Sequence, residues 1–291
     1  MNLDTQYESI DWLDLPWSEW HPFRTLGEMP GTNTLTTDPG LYRVRHEAYD
    51  RLVYVGETGR STRGRVGALA RGSFANEMPF RDPHTAAPTL WAIREEYGSE
   101  FELSWTTPER AVDGQTRKAM EAALIALHRK ATRESPVANF GRIISGYEQS
   151  GYSRHGEESR GGVLSQGEQE PNAVQGRRPF EWTAPSDVFG TEWMSLDWST
   201  AESLAEASKV SPADPGVYRL WKPGAERLVY VGESQNLRSR LYEHRRNRDS
   251  GLRFSYAALP DRSANHVLLE VETDLLGAHW LATGGAPSDQ F

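Results

Sequence analysis

The sequence contains no cysteine, has no long apolar run and carries a net charge of −9 over its 291 residues. The lack of cysteine excludes disulfide bonds, thiolate zinc sites and cysteine nucleophiles. No stretch of 18 apolar residues occurs, and the first residues are acidic where a secretory signal has Lys or Arg. We therefore expect a cytoplasmic protein with no membrane partner. The charged fraction of 25% is that of a globular chain.

The net negative charge argues against a nucleic-acid partner, because duplex binding relies on Lys and Arg that neutralise phosphates. Arginines are nevertheless concentrated in two stretches, 60–71 and 238–253, and each stretch follows a copy of the same heptapeptide. A charge run alone is typical of a solvated helix face, but its recurrence at the same place favours a function. The candidate nucleic-acid-binding residues are Arg60, Arg63, Arg71, Arg238, Arg245 and Arg246.

The heptapeptide RLVYVGE occurs at 51–57 and again at 227–233. DPGLYRV and DPGVYRL precede the two copies with the same spacing of 176 residues. A third pair of segments, 121–140 and 272–291, matches at a spacing of 151, so 25 residues of the first copy are missing from the second. The sequence therefore predicts a tandem duplication of one module.

The repeats divide the chain into module 1 at 1–146, a linker at 147–190 and module 2 at 191–291. The linker is rich in Gly, Ser and Glu, and an unstructured stretch of that length fits better between domains than inside one. The residues that module 2 lacks are expected within 77–110, the predicted insertion of module 1. Insertions on a catalytic scaffold tend to carry recognition, so this one is the expected source of specificity.

Short runs rich in Val and Tyr, bounded by Pro and Gly, predict a two-stranded hairpin in each module. In module 2 a helix follows, capped by Asn236 or Ser234, which places Arg240 and His244 on one face. In module 1 a later amphipathic helix carries Glu121. The expected fold class is α/β (α+β), with two copies of a short, mostly antiparallel sheet flanked by helices.

Five elements recur in the same order in both modules: G-[LV]-Y, V-Y-V-G, an Arg on a helix, a Glu on a later helix and a terminal amide. This order resembles the GIY-YIG nucleases, which include restriction enzymes, homing endonucleases and the incision subunit of bacterial excision repair. The resemblance covers most of both modules. The site residues that it implies are Tyr42, Tyr54, Arg65, Glu121 and Asn139 in module 1, and Tyr218, Tyr230, Arg240, His244, Glu272 and Gln290 in module 2.

By this resemblance Glu121 and Glu272 are ligands of Mg²⁺ or Mn²⁺, and Mg²⁺ is often held by one or two carboxylates plus substrate phosphates. Tyr42 and Tyr218 are the candidates for the general base. Because a free phenol has a pKa of about 10, that role requires a nearby cation that lowers the pKa. Tyrosines in strands are otherwise typical of core packing.

The helix arginines Arg65 and Arg240 are expected to contact the scissile phosphate through the bidentate guanidinium fork. The first copy has one extra residue before its helix, so Arg63 competes with Arg65 for this role. Asn139 is expected to hydrogen-bond near the catalytic residues.

Each copy departs from the family pattern at one position. Module 1 has Leu69 where module 2 has His244, and module 2 has Gln290 where the family has Asn. A displaced amide is costly in a preorganised site, so we rank module 1 as the more active copy. His128 and His279 recur seven residues after the glutamates, and a packing or capping role is favoured for both.

The sequence thus predicts a Mg²⁺-dependent DNA endonuclease of restriction or defence type, acting on double-stranded DNA as a monomeric pseudo-dimer with two sites. Two alternatives stay open. One is a nucleic-acid-binding protein in which one site or neither is competent. The other is a structure-selective or modified-base repair nuclease.

Overall fold

The computed structural model describes residues 3–28, 35–80, 85–152, 158–248, 251–260 and 265–291. The fold is mixed α+β, as the sequence predicts. The chain divides into unit 1, residues 1–117 and 131–175, and unit 2, residues 118–130 and 176–291. In the described ranges, no helix combines the length and the apolar character that crossing a membrane requires.

The secondary structure repeats along the chain in the order that the duplicated motifs indicate. The first repeat contains β1 (His21–Pro22), α1 (Phe23–Glu28), β2 (Gly40–His46), β3 (Leu52–Thr58), α2 (Thr62–Ser73), α3 (Ala87–Tyr97), β4 (Phe101–Thr106) and α4 (Gly114–Thr132). The segment between the repeats contains β5 (Tyr147–Glu148), β6 (Gly151–Tyr152), β7 (Glu158–Ser159) and β8 (Gly162–Val163). The second repeat contains β9 (Glu202–Ser203), α5 (Ala207–Val210), β10 (Gly216–Trp221), β11 (Tyr230–Ser234), α6 (Leu237–Asn247), β12 (Arg253–Ala258) and α7 (Asn265–Thr283). Short 3-10 turns lie at Leu3–Glu8, Trp12–Asp14, Glu109–Val112, Pro171–Ala173, Trp193–Ser195 and Leu204–Glu206.

Each repeat builds a four-stranded antiparallel sheet with the same strand order. The orders are β1-β4-β2-β3 and β9-β12-β10-β11. The predicted hairpins are confirmed, and their registers match: Tyr42 lies opposite Gly56, and Tyr218 lies opposite Gly232. The motif RLVYVGE recurs because its YVGE part lies in the edge strand of each sheet.

The extra residues of module 1 include helix α3, which has no counterpart among the described residues of module 2. Strand β4 does have one, since Ser104 of β4 and Ser255 of β12 are 151 residues apart and occupy the same register. Residues 101–106 of the predicted insertion are therefore part of the shared sheet; residues 81–84 lie outside the described residues. Helix α3 buries Leu90 and Ile93 in the core of unit 1, while its exposed end is acidic, and that charge does not favour contact with phosphates.

The segment predicted as an unstructured linker forms backbone hydrogen bonds over its described residues. Strand β5 pairs with β8, β6 pairs with β7, and the aromatic ring of Tyr147 is buried. The chain from 147 to 175 is counted with unit 1, and the chain from 176 to 190 with unit 2. The amino-acid composition could not predict these strands, because the segment is structured by backbone pairing and by a few buried side chains.

In each repeat, a buried arginine of the central sheet binds the segment that precedes the sheet. Arg219 on β10 lies over the rings of Trp193 and Trp198, at 5.5 and 4.1 Å from their centroids, and donates hydrogen bonds to three backbone carbonyls of residues 188–190. Arg43 on β2 repeats this arrangement with Trp12, Trp17 and the carbonyls of residues 7–9. Burial lowers the pKa of both arginines to about 9, so both stay charged at neutral pH.

Helix α4 belongs to both units, which the predicted boundaries 1–146 and 191–291 do not anticipate. Within unit 2, its residue Arg129 is fully buried and pairs with Asp274 through two hydrogen bonds of 2.8 and 3.1 Å, with Glu270 at 3.4 Å. A Cβ atom on Gly277 of α7 would lie 2.5 Å from the Cβ atom of Ala126. The two helices therefore cross in direct contact, at positions that are equivalent in the repeats.

Candidate active site

The glycine of each YVG motif makes room for a tyrosine ring on the neighbouring strand. A Cβ atom on Gly232 would lie 2.5 Å from Oη of Tyr218, and one on Gly56 would lie 2.8 Å from Oη of Tyr42. No other residue has a side chain small enough for this contact. The motif thus holds the phenol oxygen close to the backbone of the edge strand.

We expect Gly232→Ala to displace the Tyr218 ring and to lower the free energy of unfolding by about 1–3 kcal/mol, as overpacking of a dense core does. Urea denaturation of the full chain measures the change. The matched control is Gly162→Ala, where the added methyl group meets nothing within 4 Å, and we expect its effect to stay within about 0.5 kcal/mol. Equal behaviour of the two variants would contradict the packing role.

In unit 2, two helix side chains converge on the phenol of Tyr218. Arg240 donates from Nε to Tyr218 Oη at 3.1 Å, and His244 Nε2 lies 2.9 Å from the same oxygen. Helix α6 places both on one face, as the four-residue spacing predicts, and Asn236 caps it by accepting a hydrogen bond from Ser239 N. Tyr230 stacks on Tyr218 with ring centroids 6.0 Å apart.

Glu272 on α7 completes this cluster. Its carboxyl is half-buried, and burial together with Glu233 raises its pKa to about 8, against the lowering influence of Arg240. Burial also raises the pKa of Tyr218 above its usual value, although Arg240 acts in the opposite direction. A general base would need a lowered phenol pKa, and the surrounding side chains do not provide it. Tyr218 is therefore a neutral phenol at neutral pH.

The terminal amides bind the backbone of the edge strands. Asn139 accepts a hydrogen bond from Val55 N at 3.0 Å and donates one to Val55 O at 2.8 Å. Gln290 accepts from Val231 N, the equivalent backbone group, at 2.9 Å. The longer side chain of Gln290 thus reaches the same strand, and the ranking of module 1 above module 2 loses its basis.

In unit 1, Arg65 lies beside the tyrosine pair. Tyr42 is fully buried, and its ring centroid is 5.9 Å from that of Tyr54. Burial lowers the pKa of Arg65, but the neighbouring Tyr42 and Tyr54 outweigh it, and the pKa is raised. A cavity of about 460 Å³ opens next to Arg65, between the end of β3 and the first turns of α2.

The structure distinguishes Arg65 from Arg63 as the counterpart of Arg240. Arg63 donates from Nε to Leu35 O at 2.9 Å, just as Arg238 donates to Ser211 O at 2.8 Å. These two arginines therefore have the same anchoring role at the start of α2 and α6. All six candidate nucleic-acid-binding arginines are exposed: Arg60, Arg63, Arg71, Arg238, Arg245 and Arg246.

Module 1 contains an ion pair that the sequence reasoning missed. Arg117 at the start of α4 donates from Nε to a carboxylate oxygen of Glu57 and is itself buried. Module 2 has Leu268 at the equivalent position, where the carboxylate corresponding to Glu57 is Glu233. Glu121 lies one turn after Arg117, half-buried, in the part of α4 counted with unit 2. The sequence does hold a signal for Arg117: it precedes Glu121 by four residues, so both lie on the same face of α4.

The recurrent histidines are structural. His279 accepts a hydrogen bond from Leu228 N at 3.1 Å and contacts Gly285 O at 3.1 Å, as the predicted packing or capping role requires. Burial lowers its pKa to about 4, and His128 is fully buried. Among the described residues, no group of three or more His, Cys, Asp or Glu could hold a metal ion. Beside Tyr218 in unit 2, the carboxylates of Glu272 and Glu233 lie close enough to influence each other.

Comparisons with models of protein families, with curated proteins and with solved structures found no match to this chain. The function is therefore argued from the geometry of the two sites and from the motifs that form them.

Proposed function

We propose that this protein is a Mg²⁺-dependent endonuclease that hydrolyses phosphodiester bonds of double-stranded DNA, a cytoplasmic enzyme of restriction or defence type with two sites in one chain. The observation that carries the proposal is the cluster in unit 2, where Arg240 and His244 converge on Tyr218 next to Glu272. The resemblance to GIY-YIG nucleases names the same side chains.

The charges of this cluster suit phosphodiester hydrolysis. The reaction develops negative charge on the phosphoryl oxygens, and a fixed guanidinium in a preorganised site stabilises such charge. Arg240 is held by Tyr218 on one side and by Glu243 at 2.9 Å on the other, so its position is defined. Tyr218, a neutral phenol beside that cation, can orient the attacking water by hydrogen bonding.

The half-buried carboxyl of Glu272 suits a divalent cation. Its raised pKa reflects burial and the nearby Glu233, and a cation at this position would relieve both influences. Glu272, with Glu233 close by, would hold Mg²⁺, a donor set that Mg²⁺ accepts when substrate phosphates complete its shell. When bound, the ion supplies charge neutralisation to the phosphate and to the leaving oxygen. Glu121 has the corresponding role in module 1.

Exposed arginines on the site helices provide the contact with DNA. Arg238, Arg245 and Arg246 lie on α6 together with Arg240. Such side chains bind phosphates through electrostatics, and the resulting affinity falls steeply with salt. The overall negative charge is thus compatible with DNA binding, since the positive charge is concentrated on the helix that carries the site.

Plasmid cleavage with Mg²⁺ or Mn²⁺ tests the proposal. We expect linear product from the wild type, nicked circles from Glu121→Gln and from Glu272→Gln, and no cutting by the double variant, because each strand is cut by one site. Glu226→Gln, an exposed glutamate in the β10–β11 turn, is the matched control. Unchanged cutting by the double variant would refute the assignment of both glutamates.

The second candidate is a nucleic-acid-binding protein without turnover. It is favoured by one observation: in the chain alone, both Tyr218 and Glu272 hold their protons at neutral pH. Tight, salt-sensitive DNA binding with no product under any divalent cation would support this candidate and exclude the nuclease.

A further inference from the structure

A second arginine contacts His244 from the side opposite Tyr218. Arg248, the residue after α6, donates from Nε to His244 Nδ1 at 2.9 Å. Its Nη1 atom pairs with Asp289, and its guanidinium lies over the ring of Tyr230 at 4.9 Å from the centroid. These three contacts fix the direction in which the Nε–H group points.

The chemistry of arginine determines which nitrogen of His244 carries the proton. An arginine Nε always bears hydrogen and never accepts a hydrogen bond, so His244 Nδ1 must supply the lone pair. In the neutral ring the proton then lies on Nε2. Because Nε2 is 2.9 Å from Tyr218 Oη, His244 donates to the phenol oxygen.

The phenol oxygen therefore accepts two hydrogen bonds, one from His244 and one from Arg240. A phenol oxygen has two acceptor positions, and both are filled. The hydroxyl hydrogen of Tyr218 must point in a third direction, away from both helix side chains.

We propose that Arg248 is a positioning residue, which fixes His244 in the Nε2-protonated tautomer and makes it a hydrogen-bond donor to Tyr218 rather than a base that accepts the tyrosine proton. The catalytic meaning of this inference rests on the proposed function. The tautomer itself depends only on the contacts in unit 2.

The surroundings of His244 keep its ring neutral, which is the condition for a defined tautomer. Burial, followed by the charges of Arg248 and Arg240, lowers its pKa to about 4, and Glu243 acts in the opposite direction. The rings of Tyr218 and Tyr230 cover it from strands β10 and β11.

Module 1 lacks this device completely. Leu69 takes the place of His244, and Ser73, at the position of Arg248, donates its hydroxyl hydrogen to Leu69 O at 2.9 Å. The hydrogen bonds around the two tyrosines therefore differ between the modules, since module 2 has both His244 and Arg248 and module 1 has neither.

Long-range ¹H–¹⁵N NMR of the histidine rings in the ¹⁵N-labelled full chain tests the inference. His244→Gln identifies the signals of His244 among the eight histidines. At about neutral pH we expect wild-type His244 to show a protonated Nε2 and an unprotonated Nδ1. In Arg248→Met we expect the Nδ1-protonated form to appear and the ring pKa to rise, because a donor and a positive charge are lost.

Two further variants make the experiment decisive. Arg240→Met removes the other arginine without touching Nδ1, and it should leave the Nε2 tautomer in place. Asp289→Ala loosens Arg248 while keeping its charge, and it should produce a partial shift toward the Nδ1 form even if Arg248→Met fails to fold. A wild-type ring protonated on Nδ1, or an unchanged tautomer in Arg248→Met, would overturn the inference. Because no DNA is used, a protein that cuts nothing can still confirm the tautomer, and an active nuclease can still refute it.

Discussion

Replacing Asp274 by alanine is expected to lower the free energy of unfolding of unit 2 by about 3–5 kcal/mol, the cost of leaving a buried charge without its partner. Arg129 is fully buried and makes two hydrogen bonds to Asp274. Burial lowers the pKa of Arg129, but Asp274 and then Glu270 outweigh it and keep the guanidinium charged. In Asp274→Ala the guanidinium loses both of these hydrogen bonds and keeps the longer 3.4 Å contact with Glu270 and the bond to the Arg177 carbonyl. Urea denaturation of the full chain, followed by tryptophan fluorescence, measures the loss.

The control for this prediction is an ion pair at the surface. Lys209 and Glu206 lie 2.6 Å apart with side chains that are 70% and 47% exposed. Such pairs contribute little, so Lys209→Ala should change the free energy of unfolding by less than about 1 kcal/mol. The triple variant Arg129→Met, Asp274→Leu and Glu270→Gln should regain part of the stability, because buried charged groups can be replaced by uncharged side chains and no carboxylate is then left without its cation. If Asp274→Ala unfolds at the same urea concentration as the wild type, the buried pair does not stabilise unit 2.

Glu272→Gln is expected to make the protein more stable than the wild type at alkaline pH. The folded pKa of Glu272, about 8, lies above the usual value of 4.5, so the folded chain binds this proton more tightly than the unfolded chain does. The resulting stability is present below about pH 4.5 and is lost as the pH rises through about 8. Glutamine cannot ionise and escapes this loss. The difference should reach a few kcal/mol, since one pKa unit corresponds to about 1.4 kcal/mol.

Melting temperatures measured from about pH 5 to about pH 9 test this prediction. Wild type should fall relative to Glu272→Gln over that range, whereas the exposed control Glu226→Gln should run parallel to wild type. Adding Mg²⁺ should raise the melting temperature of the wild type at alkaline pH more than that of Glu272→Gln, because a cation that binds only the folded state stabilises it and the variant keeps only the Glu121 site. Parallel curves for wild type and Glu272→Gln would show that the carboxyl is not perturbed by folding.

The parts of this site that were predictable are those set by local spacing. The repeat at 176 residues located the hairpins, and the four-residue spacing of Arg240 and His244 placed both side chains on Tyr218. In contrast, Arg248 has no equivalent in module 1, and its role comes from one contact made just after a helix ends. The contact of Gln290 with Val231 N was not predictable, because the sequence does not show which backbone group an extended amide reaches.

Contacts between residues far apart in the sequence could not be predicted, for a different reason. Arg129 and Asp274 are 145 residues apart, and no periodicity links them. Arg219 binds backbone carbonyls 29–31 residues before it, and its guanidinium lies over the nearer Trp193 and Trp198. The spacing of this tryptophan pair recurs at Trp12 and Trp17, so aligning the two copies could have revealed it. Only the fold shows that a buried guanidinium connects each pair to its sheet.

The division of α4 between the units constrains how the duplicated gene can evolve. After a duplication, either copy can ordinarily be lost while the other continues to function. Here residues 118–130 come from the first repeat, yet Ala122 belongs to the hydrophobic core of the second unit and Arg129 to its buried ion triad. A deletion that removes the first repeat would also remove part of the second. The two copies are thus bound to be inherited together, and selection acts on the pair as a single gene.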